Sequence, residues 1–198
     1  DLVVIHDPQP LPLVSFVKHR CPWLLEMHID LTAPDPATFS FVSQLIEKYD
    51  GVVVSHQDFV KKELDVRQVV FPPAIDPLSE KNRELSPAEN LAALLKRGVS
   101  VGKPIIAQVS RFDKWKDPLG VIKIFELVRE TADCELVLLG SFATDDPEGQ
   151  MIYDEVRDAA SSSRYHNDIK IILVYDPLFA NALQRAARVV VQKSVREG

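Results

Sequence analysis

Cysteine pairs, long apolar stretches, basic runs and glycine-rich loops are all missing from this sequence. Only two cysteines occur in 198 residues, Cys21 and Cys134, far apart and in no CxxC or Cys/His ligand spacing. That pattern speaks against a structural zinc site and makes reduced thiols in a cytoplasmic protein the expectation. No apolar run approaches the ~20 residues that cross a bilayer, and no basic region with a cleavable apolar stretch opens the chain. Neither membrane insertion nor export is expected. The net charge of -6 and the lack of a basic run argue against nucleic acid or an anionic membrane as main partner, while leaving room for a local basic loop. There is no G-x-G-x-x-G and no Walker loop, which counts against a dinucleotide oxidoreductase and a P-loop NTPase. Serine, histidine and aspartate are present, but no G-x-S-x-G elbow is, which counts against an α/β-hydrolase.

What is present is regular alternation. Hydrophobic residues make up 46% of the chain, enough for one large core or two small ones. Nearly continuous aliphatic runs at 2–5, 23–27, 51–55 and 66–71 read as strands, and the spacing predicts helices at 11–18, 36–49 and 58–64. Strands buried on both faces and separated by helices define α/β architecture with a parallel sheet. Charge and proline then dominate residues 77–103, with one marked helix. Ser86 caps it, Pro87 opens it, Glu89 completes a capping box, Leu91, Leu94 and Leu95 form its stripe, and Gly98 ends it. A second alternation follows, with strands at 105–109, 135–139, 169–174 and 189–191 and helices at 118–131, 150–161 and 178–187. The expected organisation is therefore residues 1–76 in one Rossmann-like domain, 77–103 as a crossing segment, and 104–198 in a second, with the two parallel sheets facing a cleft.

The most informative stretch runs from Ile105 to Pro118. A buried strand stops at Ser110, a short loop carries Arg111 and Lys116, and a helix restarts with Asp117 as cap and Pro118 in its first turn. Ligands of open parallel sheets bind at the strands' carboxyl ends, and two cations there suit a diphosphate or another small anion. The competing reading is that both are solvated loop charges. Other polar residues fall at strand ends: His6 and Asp7, His28 and Asp30, His56, Tyr175 and Asp176, and Glu197. A lone histidine at such a position more often caps a backbone group than does chemistry. His6, Asp7, His28 and Asp30 are of metal-binding types, but the two pairs come from separate strands, and no metal is expected.

The run Ser110-Arg111-Phe112-Asp113-Lys114-Trp115-Lys116-Asp117-Pro118 resembles the Arg/Lys donor-diphosphate motif of the retaining family 4 glycosyltransferases. Ser194-Val195-Arg196-Glu197-Gly198 resembles the start of their E-x7-E motif. Within that family, His6-Asp7-Pro8-Gln9-Pro10, Met27-His28-Ile29-Asp30, Val54-Ser55-His56, Pro72-Pro73-Ala74-Ile75-Asp76 and the run from Leu139-Gly140-Ser141 to Pro147 are most similar to the trehalose glycosyltransferring synthases. The resemblance covers the whole chain and implies the GT-B fold of two Rossmann-like domains. It further implies transfer of glucose, with retention, from a nucleoside diphosphate glucose to glucose, giving α,α-trehalose.

Carried over by resemblance, Arg111 and Lys116 bind the donor diphosphate, the Val174–Tyr175 backbone holds the base, and Glu197 contacts the donor sugar or ribose. His28 and Glu197 are the catalytic candidates, and His6, Asp7 and Gln9 stand near the acceptor. No cofactor or metal is implied, because the two cations take the part magnesium plays elsewhere. The partners implied are a nucleotide sugar, ADP-glucose or UDP-glucose, and glucose, and a homo-oligomer is compatible with the sequence. The family's amino-terminal glycine-rich loop would precede Asp1, and the second glutamate of E-x7-E would follow Gly198. The expectation is thus a piece of a longer protein, inactive alone. Two alternatives stay open, a retaining trehalose phosphorylase and a non-catalytic nucleotide- or sugar-binding fragment.

Overall fold

In the computed structural model, residues 1–141 and 147–196 are described. The chain divides into two compact units, Asp1–Ala74 with Arg196–Gly198, and Ile75–Val195.

The first unit holds four strands, β1 (Val3–His6), β2 (Trp23–Met27), β3 (Gly51–Val54) and β4 (Gln68–Val70), in a parallel sheet of order β1-β2-β3-β4. Helix α1 (Pro36–Ile46) starts at Asp35, whose side chain accepts from the Thr38 N–H, and runs until its Phe39 and Ile46 are buried. These two join Leu11, Val14, Trp23, Leu25, Met27, Val52 and Val54 in one apolar cluster. Trp23, Leu25 and Met27 alternate with half-buried Leu24 and Glu26 along β2, so one sheet face carries that core. Covering of both faces was expected here. Instead α1 and the 3₁₀ turn at Leu11–Ser15 pack on the same side, and Val4 on the other side is exposed.

The helix expected at 58–64 is a single 3₁₀ turn, Gln57–Phe59. The Gln68 side chain explains the difference. Its amide accepts from the Lys61 N–H (2.8 Å), withdrawing the donor a helix would have used, and donates to the Lys61 carbonyl (2.6 Å), which also accepts from the Leu64 N–H (3.3 Å).

The second unit carries β5 (Ile105–Val109), β6 (Glu135–Gly140), β7 (Ile169–Leu173) and β8 (Val189–Val190), all parallel, in the order β7-β6-β5-β8. Both faces of this sheet are covered. Ile106, Leu136 and Leu138 pack with α3 (Pro118–Arg129) and α4 (Pro147–Ser162). Ile105, Ala107, Val137 and Leu139 pack with α2 (Pro87–Lys96) and α5 (Pro177–Ala186). Every residue of β6 is buried, which is why Leu136–Leu139 form an unbroken apolar run, while Glu135 at its start is paired with Lys170 (3.1 Å).

The segment read as a crossing packs inside this unit, α2 against α5. The Ser86/Glu89 capping box is formed, and Gly98 follows with φ +70°. Of the stripe read on α2, only Leu94 is buried; Leu91 and Leu95 are exposed, and Asn90 supplies a further contact by donating to the Ala182 carbonyl (3.1 Å).

Candidate functional site

At the carboxyl edge of the second sheet, three strand ends enclose a cavity of about 190 Å³. Val109, Ser110 and Arg111 come from the end of β5, Gly140 and Ser141 from β6, and Val174 and Tyr175 from β7. The hydrogen bonds of the sheet carry on past its strands and hold these ends together. Ser110 N–H donates to Leu139 O (3.0 Å), Phe112 N–H to Ser141 O (3.0 Å), and Val174 N–H to Gly140 O (2.9 Å).

Gly140 is required by distance. A Cβ there would stand 2.5 Å from Ser110 O and 2.7 Å from the Phe112 ring, so the β5 loop lies against bare backbone.

The loop itself is shaped by two aspartates. Asp113, almost wholly buried, accepts from the Trp115 and Lys116 N–H groups (2.9 and 3.1 Å) and starts a 3₁₀ turn, Lys114–Lys116. Its other oxygen lies 3.5 Å from the exposed Arg111 guanidinium. Asp117 takes the left-handed conformation, φ +46°, and accepts from Gly120 N–H (2.9 Å) to start α3. Burial works against its charge, but the Lys193 ammonium and the Gly120 N–H hold its carboxyl below the ordinary range. Lys116 is half-buried, and its carbonyl accepts from the Gln108 amide (2.7 Å); its side chain is not among those lining the cavity. Asp176 is committed to structure. It caps α5 through Phe179 N–H (3.0 Å) and receives Arg97 (2.6 Å), which together hold its carboxyl below the usual range.

A second cation lining the cavity, Lys81, was missed in the sequence. It lies in a loop that α5 grips from 98 to 103 residues away. Asn181, 3% exposed, donates to the Glu80 and Arg83 carbonyls (2.9 and 2.8 Å), while Arg185 donates to the Asn82 and Arg83 carbonyls and to Asn181 Oδ1. Asp76 turns the chain ahead of it, accepting from Leu78 N–H and, through its carbonyl, from Ser79 and Asn82. A buried asparagine on an otherwise apolar helix face was the available signal.

In the first unit, His6, Asp7 and His28 come together at the ends of β1 and β2. Asp7 adopts φ +67° and accepts the His28 N–H (2.8 Å), and a His6 Nδ1 to His28 Nε2 hydrogen bond of 2.9 Å joins two nearly parallel rings. Glu26, not singled out in the sequence, lies 3.3 Å from His6 Nδ1. Gln9, two residues on from Asp7 in the chain, is exposed. Asp30 bonds Thr32 and Arg196. Burial opposes its charge, yet those partners bring its pKa down to about 2. His56 caps the 3₁₀ turn, accepting from Asp58 N–H. Glu197 falls outside the described residues.

Solved structures with this architecture are GT-B glycosyltransferases. The α,α-trehalose-phosphate synthase (UDP-forming) of Burkholderia vietnamiensis superposes with a TM-score of 0.73 at 17% identity, covering 100% of this chain and 53% of that one. The catalytic domain of starch synthase IV of Arabidopsis thaliana, solved with ADP and acarbose, gives 0.69 at 15% identity, covering 100% and 52%. The fold class is therefore GT-B. Sequence narrows the relationship further. Residues 1–61 match the family model described as trehalose synthase, N-terminal domain. The trehalose synthase of Thermococcus litoralis is 41% identical over 203 aligned residues, covering 100% of this chain and 48% of that protein. The trehalose phosphorylase of Pleurotus pulmonarius is 25% identical, covering 100% and 32%. The chain is a relative of the trehalose synthases along its whole length and spans about half the length of those it matches.

Proposed function

We propose that this chain belongs to a retaining glucosyltransferase that moves glucose from a nucleoside diphosphate glucose to glucose, forming α,α-trehalose. The observation that carries the reading is Arg111 at the carboxyl edge of β5, lining a cavity with the Val174–Tyr175 backbone, in a chain 41% identical to a trehalose synthase. In this reading Arg111 and Lys116 neutralise the charge that builds on the leaving diphosphate. A preorganised cation is worth more there than in water because it needs no reorganisation as the bond breaks. Lys81 adds a third positive charge at the rim. Val174 and Tyr175 offer backbone groups to the base, Glu197 takes the donor sugar, His28 stands by the reacting sugar, and His6, Asp7 and Gln9 serve the acceptor. The side-chain cations perform the neutralisation, so the transfer itself calls for no metal.

Calorimetric titration of the chain with ADP-glucose and UDP-glucose tests the donor half. Loss of two charge-assisted contacts should weaken binding by about a hundredfold or more in an Arg111→Ala, Lys116→Ala variant. A variant that binds like the wild type overturns the assignment. The phosphorylase reading, in which inorganic phosphate uses the same cations, has the support of the Pleurotus relative, but at 25% identity against 41%. Phosphate-dependent loss of trehalose without nucleotide, in the full-length enzyme, would favour it.

A further inference from the structure

We propose that His6, Glu26 and His28 form a binding site for a divalent transition-metal ion, with two imidazole nitrogens and one carboxylate oxygen as ligands. The sheet register brings them together. β1 and β2 are parallel neighbours, and His6 pairs directly with Glu26. His28 follows Glu26 by two residues, so the strand period of two returns it to the same face, opposite Trp23, Leu25 and Met27 and the core. His6, Asp7 and His28, which looked separate in sequence, are thus adjacent in space.

The spacing suits a metal ion. Zinc–nitrogen and zinc–oxygen bonds of ~2.0–2.2 Å put neighbouring ligand atoms about 3.3 Å apart in a tetrahedron and about 2.9 Å apart at right angles. His6 Nδ1 lies 2.9 Å from His28 Nε2 and 3.3 Å from Glu26 Oε2, and the three ligand atoms are all within 4.8 Å of one another. The ring centroids stand 5.2 Å apart with the planes within 4°, so the two nitrogens face each other almost head on, and each exposed ring would turn by about 35–45° to aim both lone pairs at one ion.

Both arms are held from behind. Asp7 accepts from the His28 N–H (2.8 Å), and its own N–H donates to the Glu26 carbonyl (2.9 Å), so the backbone beside each ligand is tied across the two strands. The imidazoles are exposed and Glu26 is half-buried, which leaves the far side of an ion open to water. Two nitrogens and one oxygen with open positions suit Zn²⁺, Co²⁺ or Ni²⁺ better than Mg²⁺ or Ca²⁺, which favour all-oxygen shells. The other reading of the same geometry is an ordinary His–His hydrogen bond with Glu26 as acceptor.

Metal titration of the chain separates the two without measuring turnover. Co²⁺ should produce a visible ligand-field band at one equivalent, displaced by Zn²⁺. His28→Ala and Glu26→Gln should each weaken binding by at least about tenfold. All three ligand side chains are at least partly exposed, so circular dichroism should show these variants folded. A variant with His19, His56 and His166 changed to alanine should keep the full signal. A wild-type chain that binds no Co²⁺ overturns the site, as does a His6→Ala, Glu26→Gln, His28→Ala variant that binds it unchanged.

Discussion

Replacing Gly140 by alanine probes the contact on which the candidate donor cavity depends. The new Cβ would meet Ser110 O at 2.5 Å and two Phe112 ring carbons at 2.7 and 2.9 Å, where ordinary contact begins at 3.4 Å. The Ser110 carbonyl must therefore retreat by about 0.9 Å. It has no free path, because the adjoining N–H groups bond Leu139 and Ser141 at 3.0 Å and Phe112 is 3% exposed in the core. Overpacking of this kind costs about 1–3 kcal/mol, and a stretched backbone hydrogen bond about 1 more. With a unit the size of Ile75–Val195, a loss of about 2–4 kcal/mol should lower the melting temperature by roughly 6–16 °C. Differential scanning calorimetry measures it. Because Arg111 rides on the displaced loop, ADP-glucose or UDP-glucose binding should weaken in the same variant. A fall of less than about 2 °C would refute the reasoning, since it would mean the β5 loop moves aside without strain.

Asn181→Ala removes two part-buried hydrogen bonds to the Glu80 and Arg83 carbonyls and leaves Arg185 without its side-chain acceptor; a loss of about 1–3 kcal/mol is expected in thermal melts. Hydrogen exchange should then rise in the 79–83 loop that carries Lys81. Asp168 accepts from Lys103 (2.9 Å) and Arg129 (2.7 Å), and these bonds hold its carboxyl below the ordinary range against the effect of burial. Its folded pKa lies below the unfolded value of about 3.9, so its stabilisation is complete above that pH and is lost as pH falls through the folded value. Asp168→Asn should lower the melting temperature at pH 7 and flatten its decline below about pH 4, as followed by circular dichroism; an unchanged acid slope would remove Asp168 from the account.

Periodicity and capping chemistry, both local, were legible in the chain itself. The alternation of aliphatic runs with amphipathic stretches is enough for two parallel α/β units, since a strand buried on both faces and a helix buried on one leave different spacings. Asp117 before Pro118 and Ser86 before Pro87 marked helix starts, because the groups that satisfy a first turn lie within three residues of it. The basic loop after β5 was legible for the same reason: a strand's end and the cations following it are continuous in sequence. Where a distant side chain intervened, the local reading failed. Gln68 bonds both polar groups of Lys61 and leaves only a 3₁₀ turn where a helix was expected. Lys81 reaches the cavity because Asn181 grips its loop, Glu26 joins His6 because two strands pair in one register, and Gly140 is required because another loop lies 2.5 Å from its missing Cβ. None of these follows from residue spacing along the chain. The sequence alone determined the elements, their order and the residue types at the strand ends, and only the tertiary structure decided which of those residues meet, because distances through space depend on register and packing rather than on neighbours in the chain.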